Sequence, residues 1–191
     1  MKCYNCFAEI PDESKFCMKC GAEQLSQDDS SEETESVYIP DDIRNLFFPL
    51  KGVTLGETTA DEVRNMGIDV EDIFSDGELT FHLYWGENEH CWIPFKQTKG
   101  KPYFNEMDIG ELSGLPTQWT QDLGITYNMP YQEWLSFFKK YKFRTEEEHH
   151  DSGFFRNLDI LYAFSADNRL RFQLMFSTQK TELARIYINY M

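Results

Sequence analysis

Leu79-Thr80-Phe81-His82-Leu83-Tyr84-Trp85 alternates strictly. Leu79, Phe81, Leu83 and Trp85 fall on one side of an extended chain, and Thr80, His82 and Tyr84 on the other. A period of two is that of a strand with one buried face, so this stretch predicts a sheet covered on one side. Outward from it, Cys91–Lys96 and Tyr103–Ile109 read as two further strands, set off by Gly86-Glu87-Asn88 and Lys99-Gly100 as turns. A second set follows at Asp159–Phe164, Leu170–Phe176 and Leu183–Tyr190, with Ala166-Asp167-Asn168 as a turn.

A helix precedes each set. Gly52-Val53-Thr54-Leu55 leads to Thr58-Thr59-Ala60-Asp61, and Gly124-Ile125-Thr126-Tyr127 leads to Pro130-Tyr131-Gln132-Glu133. Thr58 or Thr59 suits a helix cap, Asp61 and Glu62 suit the first turn, and Gly67 suits the helix end. Pro130 opens the second helix, whose apolar side is Trp134, Leu135, Phe137, Phe138 and Tyr141. The expectation is an α+β domain over residues 37–191, built from two helix-plus-three-strand repeats at about 50–109 and 122–191, with antiparallel meanders and helices on one face.

Upstream the composition changes twice. Residues 24–36 hold no basic residue, no aromatic and one aliphatic, a flexible acidic linker with a reach on the order of 20 Å. Residues 1–23 carry Cys3, Cys6, Cys17 and Cys20 as two C-x-x-C units. Each pair forms a knuckle whose sulfurs converge, and four thiolates suit tetrahedral zinc with bonds near ~2.3 Å. Ile10 and Phe16 would cover the site. A disulfide pair, an iron–sulfur site and a thiol redox motif are the rivals; a reducing compartment and the missing βαβ pattern speak against the first and last. With all four positions filled by protein, one zinc ion is structural rather than catalytic. Cys91, beside Trp92, reads as a buried thiol.

Residues 1–23 resemble the short prokaryotic zinc-ribbon module, through Cys3-Tyr-Asn-Cys6 and Phe16-Cys17-Met-Lys-Cys20-Gly21, with Phe7 where many relatives carry glycine. Residues from about 50 to 191 resemble more loosely the duplicated helix-plus-meander fold of the β-lactamase inhibitor protein, through Gly-Val-Thr-Leu-Gly leading into a helix. That resemblance implies a protein-binding sheet face and no catalysis.

The chain has 18 basic against 33 acidic side chains, a net charge of −15, which repels nucleic acid and anionic lipid. No apolar run approaches the roughly 20 residues of a membrane helix, and the N-terminus lacks a signal-peptide core, so a cytoplasmic location is expected. No hydrolase elbow, phosphate loop or dinucleotide fingerprint occurs; Gly110-Glu-Leu-Ser113-Gly114 has the wrong spacing. His149 and His150, after Glu146-Glu147-Glu148 and before Asp151, read as a solvated charged loop rather than a second metal site. His82 and His90 have no partner constellation for acid–base work.

The face turned away from the helices is expected to display Tyr84, Trp92, Lys96, Phe104, Glu106 and Asp108, and from the second set Arg169, Arg171, Gln173, Met175, Arg185 and Tyr187. Of these, Tyr84, Trp92, Phe104, Arg169, Arg171, Met175, Arg185 and Tyr187 are the candidate partner-binding residues, since aromatics and arginines dominate binding hot spots. Trp119, in the linking segment 110–123, is a candidate cover for part of that sheet. The leading functional expectation is a non-enzymatic adaptor with a protein partner. The alternatives are a small-ligand sensor or enzyme with a pocket in the C-terminal domain, and a transcription-associated nucleic-acid-binding ribbon protein.

Overall fold

Thr59 begins the first helix. Its Oγ1 accepts the Glu62 N–H at 3.3 Å, while Glu62 Oε2 accepts the Thr59 N–H at 2.8 Å, a reciprocal cap on α1 (Ala60–Asn65). Gly67, at φ +77°, ends the turn in a left-handed conformation. Thr59→Ala is expected to cost about 1 kcal/mol and lower Tm by roughly 3 °C, read by thermal melting. A melt unchanged within 1 °C would show that water replaces the cap.

The computed structural model describes residues 39–73, 75–85, 91–110, 114–150, 158–177 and 180–191, with positions 9, 18 and 19; for Trp85 and Cys91 it describes the backbone alone. The chain divides into two units, Met1–Tyr38 and Ile39–Met191. The cysteine-bearing positions 3, 6, 17 and 20, the linker 24–36 and His90 lie outside the described residues.

After α1 come β1 (Glu71–Ile73), β2 (Glu78–Trp85), β3 (Cys91–Gln97) and β4 (Glu106–Gly110). Then follow α2 (Thr117–Asp122), α3 (Tyr131–Lys140), β5 (Arg144–His150), β6 (Leu158–Phe164), β7 (Leu170–Ser177) and β8 (Leu183–Tyr190). All eight strands form one antiparallel sheet in the order β1-β2-β3-β4-β8-β7-β6-β5. The two meanders therefore lie side by side, joined through their last strands.

Each meander has four strands where three were expected. β5 pairs with β6 across its whole length, from Arg144↔Phe164 to His150↔Leu158, so Glu146–His150 is strand and not the expected solvated loop. An edge strand exposed on both sides has no buried face, hence no apolar period to read. Its charges also guard the open edge against further pairing.

Phe81, Leu83, Ile93, Phe95, Met107 and Ile109 point inward and are buried, as are Phe172, Leu174, Ile186 and Ile188. The helices supply the other half of the same core through Val63, Trp119, Trp134 and Phe138. Phe138 tilts against Phe172 at 5.4 Å, and Tyr131 stands edge-on to Phe176 at 5.0 Å. Trp119 belongs to this core too. Its Nε1 donates to the Phe47 carbonyl at 2.8 Å and its ring packs on Phe47 and Phe48, so Trp119 serves the helical side and does not cover the open face.

Among the described residues, no helix is long and apolar enough to cross a membrane.

Candidate functional site

The register sets which side chains share the face turned from the helices. One row runs Glu71, Thr80, Lys96, Glu106, Asn189, Arg171, Phe164, Arg144. A neighbouring row runs Asp108, Tyr187, Gln173, Tyr162, Glu146. Tyr84 lies directly across from Trp92, and His82 across from Pro94. Tyr84 is 53% and Trp92 47% exposed, and the His82 ring stands edge-on to Trp92 at 4.6 Å.

Of the candidate partner-binding residues, Tyr84, Trp92, Arg171, Arg185 and Tyr187 come together on this face. Arg169 sits at the β6–β7 turn, exposed, its guanidinium 3.9 Å from Asp167. Two others are corrected. Phe104 is 0% exposed, because β4 starts at Glu106 and the preceding residues turn back against the helix lead-in. The Phe104 N–H donates to Thr58 O at 3.0 Å, its carbonyl accepts from Gly56 at 2.8 Å, and its ring packs on Phe81 at 4.5 Å. Met175 is 5% exposed: it has the right parity, but Ile160 and Arg185 flank it on both neighbouring strands, beside a register shift at Met175/Phe176.

Most charges on the face are paired. Lys96 bonds Glu78 at 2.8 Å, and Arg185 Nε donates to Asp108 at 2.8 Å while its guanidinium lies over the Tyr187 ring at 5.3 Å. Arg144 lies over Phe164 at 4.2 Å. Arg171 differs: its Nε is buried and has no hydrogen-bond partner. Burial pushes the Asp108 carboxyl above the ordinary carboxylate range, and the Arg185 hydrogen bond only partly opposes it.

Sequence reading missed what Pro94 does. The Asn105 N–H donates to Lys96 O at 3.0 Å, so the amide edge of Lys96 faces β4. Alternation turns the Pro94 edge the same way, and proline has no N–H to give. The β3–β4 ladder accordingly covers only Phe95↔Met107 and Lys96↔Glu106, while the β2–β3 ladder runs over seven pairs. A depression of about 290 Å³ opens there, lined by Ile73, Thr80, Pro94, Lys96, Glu106, Met107, Asp108 and Tyr187. Among the described residues, none of its lining comes from the 110–123 segment. A mid-strand proline was the available signal.

The histidines on β5 serve the edge. His149 Nδ1 is 2.7 Å from Asp159 Oδ1 and His150 Nε2 is 3.4 Å from Glu148 Oε1, on opposite sides of the strand. Nearby, Tyr131 is pushed up to about 12 by burial and by the neighbouring Glu147 carboxylate, which pairs with Lys180. Among the described residues no group of three or more His, Cys, Asp or Glu side chains is placed to hold a metal. No protein family model, curated protein or solved structure matches the chain.

Proposed function

We propose that the chain is a non-enzymatic interaction protein that captures a protein partner on the open face of its sheet. The observation that carries this reading is the Tyr84–Trp92 pair, opposite one another and about half exposed on the face turned from the helices. Covering both rings would remove roughly 200 Å² of surface, worth about 5 kcal/mol before the costs of association. The unpartnered Arg171 Nε, on the same face, supports it further. So does the matching order of the two four-strand halves, which fits a duplicated unit presenting one continuous surface.

The N-terminal segment enters the proposal as a structural zinc ribbon on Cys3, Cys6, Cys17 and Cys20, tethered by the acidic linker so that both modules reach one assembly in the cytoplasm. The spacing of the two C-x-x-C units supports it.

A Trp92→Ala/Arg171→Ala double variant is expected to weaken capture of the native partner at least roughly thirtyfold, the size of one hot-spot loss. Its stability should fall by under about 1 kcal/mol, since both side chains stand outside the core. Quantitative pull-down from native lysate, paired with a thermal melt, checks both. An unchanged set of captured proteins overturns the reading, and so does a loss of stability large enough to explain the loss of capture.

A further inference from the structure

Charge is unevenly divided over the open face. On the β1–β4 half the register places the carboxylates of Glu71, Glu78, Glu106 and Asp108 against the ammonium of Lys96. On the β5–β8 half it places Arg144, Arg171 and Arg185 with Glu146 and Glu148. The exposed aromatic pair lies on the acidic half, and so does the depression opened by Pro94. At about 290 Å³ that depression sits at the small end of ligand pockets, which run from roughly 300 to 1,000 Å³. It suits one long side chain better than a whole metabolite.

We propose that the β1–β4 half of the open face docks an extended cationic segment of a partner protein, one lysine or arginine entering the depression beside Glu106 and Asp108 with its stem on Ile73 and Pro94, and the segment continuing over Tyr84 and Trp92. This rests on the interaction reading above and adds the chemistry of the partner. From Trp92 to Lys96 is about 13 Å along a strand, a span that four residues of an extended segment cover.

Three features favour a basic occupant over an acidic one. The net charge of −15 steers cations toward the molecule from a distance. The lining pairs apolar surface for a methylene stem with carboxylates for its head, the division that long basic side chains use. Asp108, only partly compensated by Arg185, gains from a second donor, while Glu106 has Lys96 as its nearby cation and no ion pair within 4 Å among the described residues. Exposed aromatic faces add cation–π attraction for a further basic side chain. Lys96 and Arg185 oppose the entry, but each is already bound to a carboxylate, at 2.8 Å in both pairs.

The test uses the full chain and a labelled ten-residue peptide alternating lysine with valine, against the same peptide with glutamate for lysine, by fluorescence polarisation. The lysine peptide is expected to bind, with affinity falling as salt rises, and the glutamate peptide not to bind. Glu106→Gln, Asp108→Asn and Trp92→Ala should each weaken binding about five- to tenfold. Glu133→Gln, which removes an equal charge from an exposed position on α3, should leave it unchanged. Equal losses in Glu133→Gln and Glu106→Gln would reduce the effect to bulk charge and overturn the docking site, as would binding of the glutamate peptide. If Trp92→Ala/Arg171→Ala still releases the native partner while the lysine peptide does not bind, the cationic segment is wrong and the interaction face stands.

Discussion

Gly56→Ala is expected to lower stability by about 3 kcal/mol and Tm by roughly 10 °C. Gly56 holds φ +84°, where a β-carbon is disfavoured by about 1–2 kcal/mol. That carbon would also stand 2.2 Å from Tyr190 Cδ1 and 2.5 Å from Cγ and Cε1, inside any tolerable contact. The backbone has no room to retreat, because the Gly56 N–H donates to Phe104 O at 2.8 Å. The ring is also held. Tyr190 N–H donates to Asn105 O at 2.7 Å, and Arg44 lies over the ring at 4.8 Å, itself fixed by Asp42, Glu57 and the Leu55 carbonyl. Adding Tyr190→Ala should recover about 1 kcal/mol or more of the loss, because it removes the overlap and leaves only the backbone strain. Urea unfolding of both single variants and the double variant gives the cycle. A Gly56→Ala midpoint equal to that of the native chain would mean that the 56–58 lead-in yields freely and does not anchor β8.

How much of this was readable beforehand depended on whether each element buries a face. Leu79, Phe81 and Leu83 alternate because a core lies under them, and that parity carries across the sheet to Ile93, Phe95, Met107 and Ile109. From it follow the positions of Tyr84, Trp92, Arg171, Arg185 and Tyr187. Arg144–His150 faces water on both sides, so nothing in its composition separates strand from loop. Phe104 broke the parity argument because, one residue before Asn105 bonds Lys96, the chain leaves the ladder and Phe104 meets Gly56 and Thr58 instead. A one-residue irregularity of that kind reverses faces, and only long-range contacts reveal it. The α2 helix, Thr117–Asp122, is two turns with a proline cap and no side-chain cap bond. It is held by Trp119 reaching Phe47, 72 residues away, a contact no local pattern encodes. The depression between β3 and β4 needed both an adjacent strand and the orientation of the Pro94 edge. The residue and its neighbouring strand were both visible from the start, but the side to which its edge turns was not.

Cys17→Ser is expected to abolish metal binding and leave the sheet unit intact. The native chain should carry one zinc per molecule, and the variant less than about a tenth of that after gel filtration, since apparent folding energies of structural zinc sites run to roughly 10–16 kcal/mol. The reason is chemical. Serine is a far poorer ligand than thiolate, and three remaining cysteines leave an open position that water enters. A segment as short as residues 1–23 has little apolar surface to fold without the ion. Ile39–Met191, by contrast, draws its core from Phe81, Phe95, Trp134 and Phe172, none of which belongs to the first unit. Its thermal transition should therefore stay within about 2 °C of the native value in the variant. Plasma emission spectrometry gives the stoichiometry, and zinc-edge absorption spectroscopy gives the ligand set. Four sulfur neighbours and no oxygen would support an ion that shapes backbone and activates nothing. A water ligand on the native metal would make the site reactive, and iron in place of zinc would make it a redox centre; either result overturns a purely structural role and reopens enzymatic readings of the chain.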